Sequence, residues 1–208
     1  MALNVWLTLF VAAWLISLSP GSGAVAAMSA GASHGFARAT HHTVGLVLGL
    51  WTQVLVVGLG LGALLAASEL AFAAVKWVGV AYLLWLGIQA WRNKAGALRL
   101  QVDGGPASPR ALMWRGWAVN AVNPKGTLFL LAVVPQFVNP AAALGPQYLV
   151  IGATLGLTEL VVMSGYTLLA TQMLRLLRGP QAMRWVERAF GSLFIAVALA
   201  LAAVKRPS

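Results

Sequence analysis

Two short polar breaks interrupt this otherwise apolar chain, and they limit the folds it can adopt. The first is SPGSG at Ser19–Gly23, and the second is NPKG at Asn123–Gly126. Proline removes a backbone donor and interrupts the hydrogen-bond ladder of a helix. Inside a bilayer, the freed backbone groups are tolerated only where protein or a watery cavity satisfies them. One such break in each half of the chain predicts a transport site near the middle of a membrane.

The composition predicts a membrane protein. Of the 208 residues, 60% are hydrophobic and 9% are charged, with a mean hydropathy of +0.83. A soluble domain carries about 25% charged residues. The formal net charge of +10 comes largely from basic residues between apolar segments, which favours a topology signal over nucleic-acid binding. The chain has no cysteine, and this excludes disulfides, thiolate metal sites and a cysteine nucleophile.

Six apolar segments predict an all-α polytopic membrane protein. Their bounds are approximately Leu3–Leu18, Thr43–Ala67, Leu70–Trp91, Ala118–Phe137, Tyr148–Ala170 and Ala189–Val204. The first and the last are shorter than the ~20 residues that a full span needs. We therefore expect the first segment to continue past its proline toward Met28, and the Pro-broken segments to be bent helices.

The basic residues predict an orientation in the membrane. The first linker carries basic and imidazole side chains at His34, Arg38, His41 and His42. The third and fifth linkers are also basic, whereas the second holds Glu69 and the fourth holds no charge. By the positive-inside rule the odd-numbered linkers face the cytoplasm, and both termini then lie outside. The basic residues near the C-terminus oppose this placement, and a re-entrant first segment would put the N-terminus inside.

The two halves of the chain show similar features in the same order. Besides the two proline breaks, Gly45-x-x-x-Gly49 in the second segment corresponds to Gly152-x-x-x-Gly156 in the fifth. Glycine pairs also serve ordinary helix packing, so this pair alone is a weak indication. Three segments per copy is an odd number, so a second copy must be inverted in the membrane. We expect one membrane domain with three-helix repeats at residues 1–92 and 116–208, joined by a cytoplasmic linker at residues 93–115.

Lys125 and Glu159 are charged residues placed well inside predicted segments. Charge at such depth is costly and by default marks a function or an internal pair. A lysine directly after a helix-breaking proline can receive a substrate carboxylate, assisted by the N–H groups that begin the next helix. The glutamate can bind a substrate ammonium or carry a proton. The alternatives are a lysine that snorkels toward a headgroup and a glutamate held in a structural ion pair.

The predicted substrate site therefore combines the two breaks with the buried acid: Pro20, Gly21, Ser22, Asn123, Pro124, Lys125 and Glu159, with Glu159 also the residue that couples transport to protons. Three further polar residues in the segments are expected mainly to make packing hydrogen bonds: Gln53, Asn120 and Gln136. A G-x-S-x-G match at Gly31–Gly35 lacks a preceding strand, and no histidine follows His42, so none follows an acidic residue as the order of a hydrolase triad requires. We expect no enzyme activity, no cofactor and no metal site.

The chain resembles the lysine-exporter (LysE) superfamily, in the branch named for resistance to homoserine and threonine (RhtB-type). The likeness covers nearly the whole chain. Its motifs, in order, include SLSPGSGA at Ser17–Ala24, KWVGVAYLLWLGIQAWR at Lys76–Arg92 and NAVNPKGTLFLLAVVPQF at Asn120–Phe137. The resemblance also implies an acidic residue in the fifth segment, often aspartate, where this chain has Glu159.

This resemblance implies an efflux transporter in the bacterial inner (cytoplasmic) membrane. Its substrates would be small amino acids or derivatives such as homoserine, homoserine lactone or threonine, and proton antiport would drive their export. The expected partners are the amino acid, protons and the lipid bilayer, with no nucleic acid, and homo-oligomerisation is left open. The alternative function is an uncoupled channel or uniporter for small metabolites.

Overall fold

The computed structural model describes residues 1–19, 21–67, 69–92, 107–139 and 141–173, together with positions 188, 192, 195, 196, 198, 199 and 202. Within these residues every regular element is helical. The helices are α1 (Leu3–Leu18), α2 (Ser22–Ala67), α3 (Glu69–Arg92), α4 (Pro109–Ala121), α5 (Pro124–Val133) and α6 (Leu144–Met173), with a 3-10 turn at Val134–Gln136 after α5. Outside the described residues lie Pro20, Arg99, Arg184 and most of the predicted sixth segment.

Two of the predicted segment bounds are close to the observed helices. The first segment coincides with α1, and the third differs from α3 by one residue at each end. Among the described residues, two stretches are long and apolar enough to cross a membrane, Ser22–Gly60 and Leu144–Gln172. The pair Pro109–Ala121 and Pro124–Gln136, bent by 53° at its break, adds a third if it counts as one span. The described helices are thus those of a membrane protein with a Pro-broken span.

Helix α2 reverses direction at Gly35. This glycine has φ 73° and ψ 165°, a backbone conformation that a residue with a Cβ rarely adopts. Gly31 and Thr43 lie on either side of it, and both lie against Thr167 of α6. Residues 22–34 therefore run along α6 in one direction, and residues 36–67 return in the other.

The prediction that a non-helical linker joins the first two segments was wrong. The polar stretch containing His34, Arg38, His41 and His42 is helical, and Gly35 alone separates two helical parts. Polar side chains cost a helix only tenths of a kcal/mol each, so they do not end it, whereas the glycine conformation does. The second predicted segment consequently begins at residue 36 and not at Thr43.

The start predicted for the fourth segment was also wrong. Helix α4 begins at Pro109 and not at Ala118. The Ser108 hydroxyl accepts a hydrogen bond from the Ala111 N–H at 3.2 Å, and proline occupies the first turn, which together form a normal helix start. Arginines in this first part lower its hydropathy, so a search for apolar segments misses it. Residues 109–115 of the predicted linker therefore belong to α4, and residues 93–106 lie outside the described part of the chain.

Helices α2 and α4 approach one another at glycines. A Cβ on Gly45 would overlap the carbonyl oxygen of Met113, and one on Gly116 would overlap that of His42. Gly49 is similarly confined on the same side of α2. The first predicted glycine pair therefore lets two backbones touch, as small residues do between membrane helices.

The second glycine pair has a different contact. A Cβ on Gly156 of α6 would lie 2.6 Å from Nε1 of Trp51, and this indole N–H donates to the carbonyl of Gly152 at 2.9 Å. The pair therefore accommodates one aromatic side chain of α2 and does not bring two backbones together.

We expect Gly116→Ala to lower the stability of the folded protein by about 1–3 kcal/mol, because the added methyl forces α2 and α4 apart. Gly60→Ala is the matched control, since a Cβ there would meet nothing within 4 Å among the described residues. Thermal unfolding of the two purified variants in detergent measures the difference. Equal unfolding temperatures for both variants would contradict the close approach of the helices.

An apolar core joins the four helices around the breaks. Buried side chains of α1, α2, α5 and α6 meet in one cluster that includes Leu9, Val54, Leu130 and Ile151. Because these helices contribute to a shared core, the polar ends at the two breaks are held next to each other inside it.

Candidate functional site

Lys125 joins the two breaks. Its Nζ donates to Oγ of Ser19 at 2.6 Å and to the Ser19 carbonyl at 3.2 Å. Ser19 directly follows α1 with an extended backbone, and Lys125 lies in the first turn of α5. The lysine turns inward and does not snorkel to a headgroup. A cation at the C-terminal end of α1 is also favoured by the helix dipole.

Side chains satisfy the backbone carbonyls freed where α1 ends. The Tyr166 hydroxyl of α6 donates to the carbonyl of Leu18 at 2.7 Å, and the lysine serves the carbonyl of Ser19. Unpaired carbonyls would be costly at this depth. The first break is therefore stable because α5 and α6 supply donors to it.

The second break is a helix start built from its own sequence. The side-chain oxygen of Asn123 accepts from the N–H of Lys125 at 3.1 Å, with proline in the first turn. The asparagine backbone is extended, with φ −71° and ψ 108°, as a residue before proline prefers. The Asn-Pro sequence thus ends α4, begins α5 and places the lysine beside the first break.

Glu159 lies on α6 and is only 8% exposed. Its Oε1 accepts from Nδ2 of Asn120 at 3.3 Å, and the side chain of Ser17 in α1 lies next to the carboxylate. A Cβ on Gly23 would lie 3.8 Å from the same oxygen, so the carboxylate lies against the beginning of α2. Four helices, α1, α2, α4 and α6, therefore surround this acid.

Both charges line one cavity of about 50 Å³ between the breaks. Its apolar walls include Leu50, Phe129 and Leu155. A buried cavity with a few convergent polar groups is the usual form of a small-molecule site. Lys125 and Glu159 carry charges opposite in sign to those of the carboxylate and the ammonium of an amino acid.

Residues 14–204 match the family model described as "LysE type translocator". The chain belongs to the LysE translocator family. The resemblance seen in the sequence motifs is thereby confirmed, and the chain is a transporter and not an enzyme. As a LysE translocator with long apolar helices, it is a multi-pass protein of the bacterial inner membrane.

Relatives of this translocator match it over almost its whole length. It is 42% identical to a homoserine/homoserine lactone efflux protein of Salmonella typhimurium, and the 205 aligned residues cover 99% of each chain. It is equally similar to an uncharacterized membrane protein of Vibrio cholerae, over 99% of this chain and 100% of the relative. A leucine efflux protein of Enterobacter is 29% identical over 78% of this chain and 77% of its own. No solved structure matches the translocator.

The translocator brings together four of the residues that the sequence predicted for its site. Gly21, Asn123, Lys125 and Glu159 line the cavity. Ser22 and Pro124 are exposed and do not line it, because each lies on the side of its helix that faces away from the cavity. Pro20 lies outside the described residues.

Polar side chains complete the cavity lining: Ser19 of the first break, and Ser17, Gln53 and Asn120 of the apolar segments. Asn120 does make the packing bond that the sequence predicted, since its Nδ2 donates to the Leu46 carbonyl at 2.7 Å. The same nitrogen also reaches Glu159, a role that the sequence did not indicate. The signal that could have found these residues is a polar side chain inside an apolar segment, on the helix face shared with a break.

Proposed function

We propose that this translocator exports small amino acids or their derivatives from the bacterial cytoplasm in exchange for protons. The observation that carries the proposal is the placement of Lys125 and Glu159 in one cavity between two helix breaks. Relatives named as homoserine/homoserine lactone and leucine efflux proteins support the direction and the substrate class. Homoserine, homoserine lactone and threonine-like compounds are the proposed substrates.

The substrate carboxylate would bind at the breaks. Lys125 supplies a charge-assisted hydrogen bond, and the first N–H groups of α2, which begins at Ser22, add the positive end of a helix dipole. In the described conformation the ammonium bonds Ser19. A bound carboxylate would compete with Oγ and the carbonyl oxygen of Ser19 for the lysine ammonium. Substrate binding would therefore weaken the contact between the two breaks.

Glu159 would bind either the substrate ammonium or a proton. Removing a bare carboxylate from water is costly. Glu159 with a bound proton or a bound ammonium is therefore more stable than Glu159 as an unpaired carboxylate. If a proton from outside and an amino acid from inside compete for the same group, the exit of one requires the entry of the other. This competition is sufficient for antiport.

The cavity must widen for transport. Its volume of about 50 Å³ holds a few water molecules and not an amino acid. The bend between α4 and α5, 53° at Asn123, can change at low cost, because no continuous helical ladder crosses it. We propose that the breaks separate to admit the substrate.

We also propose six membrane helices arranged as two inverted repeats, one at residues 1–92 and one that begins with α4 at Pro109. The directions of the described helices support this arrangement. Trp6 of α1 donates to Thr154 of α6 at 3.1 Å, and the later Tyr166 reaches Leu18, so α1 and α6 run in the same direction.

The helices on either side of the second break, α4 and α5, run in the opposite direction to α1 and α6. Gly116 faces His42 and Asn123 accepts from Gln53, so α4 and α5 run along the returning part of α2, which is opposed to α6. The two broken helices are therefore antiparallel, as inversion requires. One consists of α1 and residues 22–34, and the other consists of α4 and α5. The positive-inside rule favours a cytoplasmic position for the basic connections of both repeats, including residues 93–108.

Transport in liposomes tests the proposal. We expect the reconstituted protein to concentrate labelled homoserine inside vesicles that have an acidic interior, because protons leave as the amino acid enters. Collapsing the pH gradient with nigericin should leave only equilibration. Vesicles without protein are the control. Equal initial rates with and without the gradient would indicate the uncoupled uniporter, and failure to transport any amino acid on a panel would overturn the proposal.

A further inference from the structure

Gln53 of α2 lines the cavity and is only 3% exposed. Its Nε2 donates to the Asn123 carbonyl at 2.9 Å and to the Thr127 hydroxyl at 2.8 Å. A carbonyl accepts and cannot donate, so the bond to Asn123 determines which end of the amide is the nitrogen. Both amide hydrogens are thereby engaged, one by Asn123 of the second break and one by Thr127 directly after it.

The other end of the same amide has no partner. Oε1 of Gln53 is buried and has no hydrogen-bond partner among the described residues. Amide oxygens accept up to two hydrogen bonds, and a buried acceptor left unpaired is unfavourable. A Cβ on Gly126 would lie 2.8 Å from this oxygen, so the oxygen packs closely against a glycine that has no side chain to cover it. The wall of the cavity therefore contains an unpaired acceptor that a bound molecule can reach once the cavity widens.

A line of hydrogen bonds separates this acceptor from the buried acid. Glu159 accepts from Asn120, whose Oδ1 accepts from Nδ2 of Asn123 at 3.3 Å. The Asn123 carbonyl in turn accepts from Gln53. The carboxylate and the unpaired amide oxygen lie at opposite ends of this line. A substrate whose ammonium lies at Glu159 would thus present another group to Gln53.

We propose that Oε1 of Gln53 accepts a hydrogen bond from a hydroxyl group on the substrate side chain, so that the site selects hydroxylated amino acids over apolar ones of equal size. This inference rests on the proposed function. The apolar walls of the cavity include Leu50 and Leu130, which suit the methylenes of a short side chain. A substrate with a methyl in place of the hydroxyl leaves the amide oxygen unpaired.

The test compares homoserine with norvaline, which has a methyl in place of the hydroxyl. Initial uptake rates of each labelled amino acid are measured over a concentration series in proteoliposomes. We expect the wild type to have a kcat/KM about tenfold higher for homoserine, the scale of one satisfied hydrogen bond. Gln53→Met keeps the length of the side chain and removes the acceptor, so the ratio should fall to near one.

Two further variants separate selection from folding. Gly126→Ala would place a methyl 2.8 Å from Oε1 and so displace or cover that oxygen while Gln53 itself is retained, so it should lower the same ratio even if Gln53→Met does not fold. Thr127→Val removes one hydrogen-bond partner of Nε2 and leaves Oε1 unchanged. It should therefore alter uptake of homoserine and of norvaline by the same factor and keep the wild-type ratio of their kcat/KM values.

Two outcomes would overturn the inference and leave the proposed function standing. One is a wild type that transports norvaline as well as homoserine. The other is a Gln53→Met or Gly126→Ala protein that transports both amino acids more slowly but with an unchanged ratio, as expected if Oε1 met the ammonium or served structure alone. A wild type that transports neither these two nor any other amino acid contradicts the proposed function itself.

Discussion

Replacing Lys125 with methionine is expected to raise the KM for amino acids by about 10- to 100-fold, while the protein still inserts and folds. A hydrogen bond to a charged group contributes about 1.5–3 kcal/mol, and each 1.4 kcal/mol is about a tenfold change in affinity. Methionine fills the same space without a charge. Concentration-dependent uptake of labelled homoserine measures the change, and thermal unfolding of the purified variant shows that the fold is retained.

Two variants serve as comparisons for Lys125→Met. Ser19→Ala keeps the charge and leaves the lysine its bond to the Ser19 carbonyl, so its KM should change far less. Lys125→Arg should restore only part of the affinity, because a planar guanidinium has a different geometry from a compact ammonium. If Lys125→Met transports with a wild-type KM, the lysine serves the structure of the break and not the substrate.

Replacing Glu159 with glutamine is expected to abolish accumulation driven by a pH gradient. Glutamine keeps the shape and an oxygen that can accept from Asn120, as the glutamate does at 3.3 Å, but it cannot bind and release a proton. Slow exchange of labelled substrate down its own gradient would remain. The measurement is uptake into liposomes with and without an acidic interior.

Glu159→Asp is the matched control for this variant. It keeps a group that titrates and shortens the side chain by one methylene, so accumulation driven by the pH gradient should persist with a changed preference among substrates. If Glu159→Gln still concentrates substrate using the pH gradient alone, Glu159 is not the coupling residue, and proton antiport would require a different acceptor.

The sequence alone was sufficient for the class of protein and for the position of the breaks. Hydropathy and the conformational limits of proline are local properties, so they can be read without knowing which helices meet. The same holds for the start of α5, where Asn123 and Pro124 cap the helix from within one turn. The family followed from motifs around these breaks, and the match over residues 14–204 confirmed it.

Predictions of helix ends from the sequence were less reliable where a single residue marks the end of the helix. Polar side chains near His41 suggested a loop, yet one glycine with φ 73° makes the whole turn. Arginines hid the start of α4 because a hydropathy window averages over them, although Ser108 and Pro109 mark it. In both places a local backbone signal was present, and the average over neighbouring residues outweighed it.

Lys125 and Glu159 were identified from the sequence because charge inside an apolar segment is costly wherever that segment packs. Only the tertiary structure decided what surrounds them. The bond from Lys125 to Ser19 joins residues 106 apart in the chain. The inclusion of Gln53 and the exclusion of Ser22 depend on which face each helix turns to the cavity. These features follow from close helix contacts at glycines, whose partners no local pattern specifies, so they appear only when the helices pack together.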